Sequence, residues 1–220
     1  MHEGKMVFSQ FLELISRKSF QACVDRHRGD WKVKSFYCRE FFRVMIFAQI
    51  TGRSSLSEIV LCLKAVSHHL YHAGIRSTVT KSNLALANNQ RSWKIFYDYA
   101  QVLIRQATPL YRNDPSELDV DGCVWHVELF FKWIKQHLHV KSFYGRSDNA
   151  VRSQLWISVC VYLLIAILKK RWELPLTLNE ILQILSVTPF EKMPISSVFF
   201  GKITKTESCH NPNQLTFFDL

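Results

Sequence analysis

Apolar side chains in the first hundred residues recur at helical spacing. Phe8, Phe11, Leu12 and Ile15 fall at i, i+3, i+4 and i+7, the period of one buried helical face. Val44, Phe47 and Ala48 continue that period in a second segment, which Thr51-Gly52 closes. Ser54, Ser55 or Ser57 can cap a third helix, and Glu58 suits its positive end. That helix is expected to run through Ile59, Leu63, Val66 and Leu70 until Gly74 stops it. A short polar segment follows at residues 81–88. A long one from about Ser92 buries Ile95, Tyr99, Val102 and Leu103 and ends near Pro109. The pattern then breaks: residues 113–121 hold Asp114-Pro115 and four acidic side chains in nine positions, with no apolar period, which marks a domain boundary.

Beyond the break, Val127, Phe130, Phe131, Ile134 and Leu138 define another amphipathic helix, with Glu128, Lys132, Lys135 and His139 on a separate polar stripe. Ser147-Asp148 opens a helix that carries the apolar run 155–168. Those 14 residues span only ~21 Å as a helix, against a bilayer core of roughly 30 Å, so a buried core helix is expected rather than a membrane span. Lys169-Lys170-Arg171 suits the negative end of its dipole. A last helix is expected over residues 178–187, with an irregular tail after it. There are no internal repeats, and the fold class is mostly α.

Charge sharpens this outline. With 220 residues and 48% hydrophobic content the chain can bury one or two cores. Its net charge of +10 lies wholly in residues 1–112, where 17 Lys and Arg face 7 Asp and Glu; residues 113–220 carry 11 of each sign. Such a half suits a polyanion, either nucleic acid or an anionic membrane surface. A solvated basic surface without a partner is the plain alternative. The six cysteines show no C-x-x-C pair and no zinc-like spacing, and Met1 to Phe8 lacks an apolar leader, so free thiols in a cytoplasm are expected. His68, His69 and His72 have no cysteine or carboxylate at ligand spacing, which reads as a polar helix end rather than a metal site.

Two stretches carry candidate chemistry. In residues 76–91 a short helix follows a longer one and a glycine turn, with Leu84, Leu86 and Ala87 expected inward. Arg76, Lys81, Ser82, Asn83, Asn88 and Arg91 are then candidates for DNA: asparagine can pair bidentately with adenine, and lysine or arginine neutralises phosphate. That is the arrangement of a recognition helix in a helix-turn-helix. In the second stretch, Glu128 and Lys132 read on their own as an i,i+4 pair on a solvated face, worth a few tenths of a kcal/mol.

The string from Glu128 to Gln136, with Lys135 following Glu128 after six residues, resembles the signature around the third catalytic acid of IS-four-type DDE transposases. The likeness continues through Lys141 to Gly145, Asn149-Ala150-Val151, Gln154 to Ile157, Val161-Tyr162, Glu180 to Ser186 and Asn213 to Leu220. The first half resembles the N-terminal domain of the same family at Val7 to Gln10, Val33 to Phe36, Phe47 to Thr51, Leu70 to His72, Ser82 to Ala85, Ala87-Asn88 and Phe96 to Ala100. The resemblance implies a helical DNA-binding domain over 1–112, an acidic linker or deletion junction over 113–126, and an α-helical remnant of an RNase H-like catalytic domain over 127–220. It implies Glu128 and Lys135 as the catalytic remnant, and Mg²⁺ as the family's cofactor with Glu128 as one ligand.

The departures matter as much. The family places a long β-rich stretch, bearing two catalytic aspartates, before the glutamate helix; here only a short acidic loop precedes Glu128. Val124 and Asp121 stand where the signature has an arginine and a tyrosine. Two-metal strand cleavage needs several fixed oxygen ligands, and one helical carboxylate does not hold two ions. The expectation is therefore a transposase of an insertion sequence that binds the element's terminal repeats without cutting, with no productively bound metal. It would be cytoplasmic and nucleoid-associated, with no membrane partner. The alternatives are a competent metal-dependent transposase, or a relic with no activity. Loss of the sheet is also expected to strip cover from Phe130, Phe131, Ile134 and the run 155–168, and so to drive self-association or pairing with an intact transposase.

Overall fold

Ser147 begins the longest helix by accepting the Ala150 N–H on its Oγ. The computed structural model describes residues 4–112 and 143–200. Its helices, in chain order, are α1 (Val7–Leu12), α2 (Arg17–Arg26), α3 (Cys38–Ile50), α4 (Leu56–Ala65) and α5 (Ser67–Leu70). They continue with α6 (Lys81–Gln90), α7 (Trp93–Tyr111), α8 (Asp148–Arg171), α9 (Leu178–Val187) and α10 (Ile195–Phe200). No strand occurs among the described residues; an isolated bridge joins Met6 to Lys192.

The 24 residues of α8 make it ~36 Å long, well beyond its apolar run. Among the described residues it is the one helix long and apolar enough to cross a membrane, yet 78% of its most apolar window is buried inside the fold. Ile157 to Leu168 are buried without interruption, so every side of this stretch needs cover. The amphipathic α7 lies along it, and α3, α6 and α9 close the remaining sides. This corrects the expectation that the run is left without cover: helices of the first half supply it. The two ends of α7 are fastened as well. The Cys160 thiol donates to the Phe96 carbonyl, and the Tyr111 hydroxyl to the Ala166 carbonyl at 3.0 Å.

Aromatic rings build the rest of the core. Phe20 stacks on Phe42 at 4.7 Å, Phe42 on Phe96 at 5.6 Å, and Tyr99 meets Phe20 edge-on. Such pairs add ~0.5–1.5 kcal/mol each beyond the area they bury. Thus α2, α3 and α7 are tied through one cluster of rings.

Helix ends explain most boundaries. Ser55, not its neighbours, caps α4, and Glu58 accepts the Ser54 N–H and hydroxyl, which holds its carboxyl below the usual range. Thr177 and Glu180 form a reciprocal capping box on α9. α1 lacks a side-chain cap. Its first N–H groups are met instead by backbone, Val7 donating to Glu191 O and Phe8 to Pro189 O. The buried Gln10 amide completes this seam, donating to the Lys5 and Met193 carbonyls and accepting the Ile195 N–H.

Several local expectations change. The third helix breaks at Val66 into α4 and α5, and α7 runs two residues past Pro109. Helices α2 and α10 had no counterpart in the pattern. The boundary at 113–126 and the helix proposed around Val127 to Leu138 lie outside the described residues. Because α8 shares its core with α7, Leu164→Ala is expected to cost ~2–5 kcal/mol. Urea denaturation followed by circular dichroism should show one earlier transition for the whole helical signal; two separated transitions would contradict a shared core.

Candidate nucleic-acid interface

The polar helix α6 starts with a capping box. Thr80 Oγ1 accepts the Asn83 N–H at 3.2 Å, and Asn83 Oδ1 accepts the Thr80 N–H at 2.8 Å. Asn83 Nδ2 donates to Thr78 O at 2.7 Å, so both ends of this amide are committed to the chain itself. Leu84, Ala87 and Asn88 lie at i, i+3 and i+4 and are buried together. Asn88 thus faces inward, 1% exposed, while Leu86 is 55% exposed; both reverse the expected orientation. The reason is tertiary. α8 and the 143–147 segment press on α6 so closely that a Cβ on Gly145 would stand 3.1 Å from Asn88 Nδ2.

Asn149 then joins three elements. Its Nδ2 donates to the carbonyls of Asn88, Asn89 and Arg91, and its Oδ1 accepts the Trp93 N–H at 3.1 Å. One amide therefore finishes α6 and starts α7, satisfying groups that helix ends leave open.

Arg91 is also a fastening. Its Nη1 donates to Gly29 O at 2.8 Å and its Nη2 to Phe36 O at 2.9 Å, holding both ends of the loop between α2 and α3. Asp30 Oδ1 accepts the Cys38 N–H at 2.7 Å within the same loop. Arg28 and Lys32 take positive φ values of 49° and 57°, uncommon for residues with a Cβ. The loop so fixed exposes Trp31 to 70%, with Arg28, Lys32, Lys34 and Tyr37 also at the surface. Alternating cations and aromatics of this kind suit phosphates and bases. The string was visible in the sequence from Arg28 to Tyr37 but has no helical period to draw attention to it.

Of the six candidates, Arg76, Lys81 and Ser82 are exposed. The Arg76 guanidinium lies 5.2 Å from the Tyr71 ring centre. Between α4 and α6 stand α5 and the rest of residues 66–80, where a helix-turn-helix has a turn of only about 3–4 residues. His68 and His69 pack ring to ring, and His69 stacks on Phe190 at 5.8 Å.

The charge balance has a structural cause. Each of the six described carboxylates in residues 4–112 is engaged by the chain. Glu13 binds Lys5, Asp25 the Gln21 amide, Asp30 the Cys38 N–H, Glu40 the Arg76 N–H, Glu58 Arg53, and Asp98 both Arg26 and His27. Lys81 and the Trp31 loop are left to solvent.

Glu128 and Lys135 lie outside the described residues. Among those described, no three His, Cys, Asp or Glu side chains stand together as a metal site. The four described aspartates, Asp25, Asp30, Asp98 and Asp148, each serve a local contact. The described residues therefore do not fit a pair of catalytic ions.

Residues 3–76 match the profile of a domain of unknown function (DUF4372), and residues 124–164 match that of a transposase DDE domain. The second match spans Glu128 and Lys135 and ends inside α8. The chain is 35% identical over 74 residues to a protein of Sinorhizobium fredii named as a transposase. It is 36% identical over 72 residues to a Geobacillus stearothermophilus protein named as the transposase for insertion sequence element IS5377. These stretches are 34% and 32% of this chain but only 21% and 19% of the two relatives, about a fifth of their length. No solved structure matches the chain.

Asn83→Ala removes the capping box and is expected to cost about 0.5–2 kcal/mol in urea melts. Ser82→Ala, one residue earlier and exposed, should leave stability within experimental error. Equal effects at the two positions would show that Asn83 is no cap.

Proposed function

We propose that this chain, which belongs to the DDE-type insertion-sequence transposases, binds the DNA of its element through residues 1–112 and does not cut it. One observation carries the reading. The first half uses its few described carboxylates to hold its own fold and leaves most of its cations exposed, Arg28, Lys32, Lys34 and Lys81 among them. Such a surface neutralises phosphates and gives affinity before it gives sequence preference.

The roles divide by what each side chain touches. Arg76, Lys81 and Ser82 are free at the surface to meet the DNA backbone, and the Trp31 loop adds a second contact. Asn83, Asn88 and Arg91, which the sequence suggested as readers of DNA, act here as framework that fixes the helix and the loop. The element's terminal repeats are the natural target, met in the bacterial cytoplasm at the nucleoid. Pairing with an intact transposase copy would supply the chemistry this chain lacks.

The absence of cutting is supported by the reach of the DDE match, which is confined to residues 124–164. That stretch carries the third acid of the resemblance, Glu128, and the sequence between residue 112 and Glu128 is far shorter than the segment that bears the family's two aspartates. In the family Mg²⁺ activates water and stabilises the leaving oxygen.

Affinity of the full chain for terminal-repeat DNA should fall by roughly 0.9 log unit per log unit of salt for each phosphate neutralised. Lys81→Ala should lower that slope and weaken binding to all sequences alike. Affinity that stays flat between low and physiological salt would remove the electrostatic basis. With Mg²⁺ or Mn²⁺ added, repeat-bearing DNA should remain unnicked, and Glu128→Gln should change nothing. Metal-dependent nicking abolished by Glu128→Gln would establish a competent enzyme instead.

A further inference from the structure

Arg39 and Arg43 stand four residues apart on α3, so both side chains leave the helix on the same side. Both line an open cleft of about 360 Å³, together with Lys5, Ser9, Glu13 and His72. Binding pockets for small molecules run from roughly 300 to 1,000 Å³, so this one has room for a phosphate and a group attached to it.

The cleft is overloaded with positive charge. Arg17, at the start of α2, and Arg76, after Gly74, lie close enough to act on Arg43 along with Arg39. Burial, and then Arg39, pull the Arg43 guanidinium down to about 10, against an opposing pull from Glu40 and with smaller help from Arg76 and Arg17. The carboxylates nearby are already engaged. Glu40 accepts the Arg76 and Ser77 N–H groups and the Ser77 hydroxyl, and Glu13 holds Lys5 at 2.8 Å. Arg39 is half-buried, and no described residue gives it a hydrogen bond or an ion pair.

The backbone keeps Arg43 in place. Its Nη1 donates to the Gly74 carbonyl. Gly74 has a φ of +71°, and any Cβ there would collide with the Arg43 guanidinium. Glycine is thus required at this turn for two reasons, its backbone conformation and the close approach of the arginine. The cationic groups are held together before any ligand arrives. Holding like charges at short range costs free energy, which a bound dianion reverses, and the guanidinium fork matches phosphate oxygens in pairs.

We propose that this cleft binds a phosphate group, with Arg39 and Arg43 as its ligands and Arg17 and Arg76 reinforcing the field. The site shares Arg76 with the proposed DNA surface but not Lys81 or Ser82, so Arg39→Gln and Lys81→Ala test the two readings separately. Two sources carry the same chemistry: a free phosphate or nucleotide, and a phosphate of a DNA strand.

The experiment uses the full chain. Its melting temperature and heats of binding are measured with inorganic phosphate, pyrophosphate and adenosine monophosphate. An oligonucleotide is added with and without a 5′-phosphate, and sodium chloride at matched ionic strength serves as control. Phosphate should raise the melting temperature in a saturable way that chloride does not reproduce. Arg39→Gln, which breaks no hydrogen bond or ion pair among the described residues, should keep the same circular dichroism and weaken phosphate binding roughly tenfold or more, the scale of one charge-assisted hydrogen bond. Lys64→Ala should bind as the parent does. Stronger binding of the 5′-phosphorylated strand than of the free anions would assign the cleft to a DNA end; equal binding of the small anions would assign it to a free ligand. A chloride effect as large as that of phosphate, or full affinity in Arg39→Gln, overturns the proposal. Loss of salt-dependent duplex binding alongside intact phosphate binding would overturn the DNA reading and leave this one standing.

Discussion

The structure depends on the need of one helix for cover on every side. α8 is apolar around its whole circumference from Ile157 to Leu168, and water on any flank would cost several buried side chains their burial energy. An isolated amphipathic neighbour shields only one flank. The fold therefore brings α3, α6, α7 and α9 around it, and the polar fastenings at Asn149, Tyr111 and Cys160 follow from that arrangement. The two family matches, residues 3–76 and 124–164, are thereby not separable in the described residues. The helix that ends the DDE match is the central pillar of the basic half.

A second constraint is the small supply of carboxylates. Where acids are few, each is placed where it closes a helix end, a loop or a turn, and the cations carry the surface. This separates two jobs that the sequence blends. Arg91 and Asn83 resemble DNA contacts by type and position, yet the Arg91 Nη groups and the Asn83 amide are bonded inside the chain. Arg39 and Lys81 are left without such partners.

Long, strongly periodic helices were legible in the sequence, because their patterns repeat often enough to fix a face. The span of α9 was read to the residue, and Ser147 was read as the cap of α8. Helices with sparse apolar patterns were not. α2 shows only Phe20, Cys23 and Val24 on its buried face, and α10 has six residues in all. The face of α6 was misjudged at Leu86 and Asn88 because its composition is nearly uniform, so packing against α8 and Gly145 decides its rotation. The arginine cleft gave only the i,i+4 spacing of Arg39 and Arg43; its other walls come from α1 and residues 72–74, joined only by folding. Covering the run 155–168 with α7 was equally invisible, since periodicity names a buried face but not its partner.

The seam between α1 and residues 189–195 sets a timetable for synthesis. α1 has no cap of its own, and its opening N–H groups wait for the Pro189 and Glu191 carbonyls. A ribosome adding about 5–20 residues per second needs roughly ten to forty seconds to reach that partner after making α1. Until then the Val7 and Phe8 N–H groups lack the acceptors that they have in the finished fold. A nascent chain stalled before residue 189 would therefore hold α1, one wall of the arginine cleft, without the acceptors that start its helix.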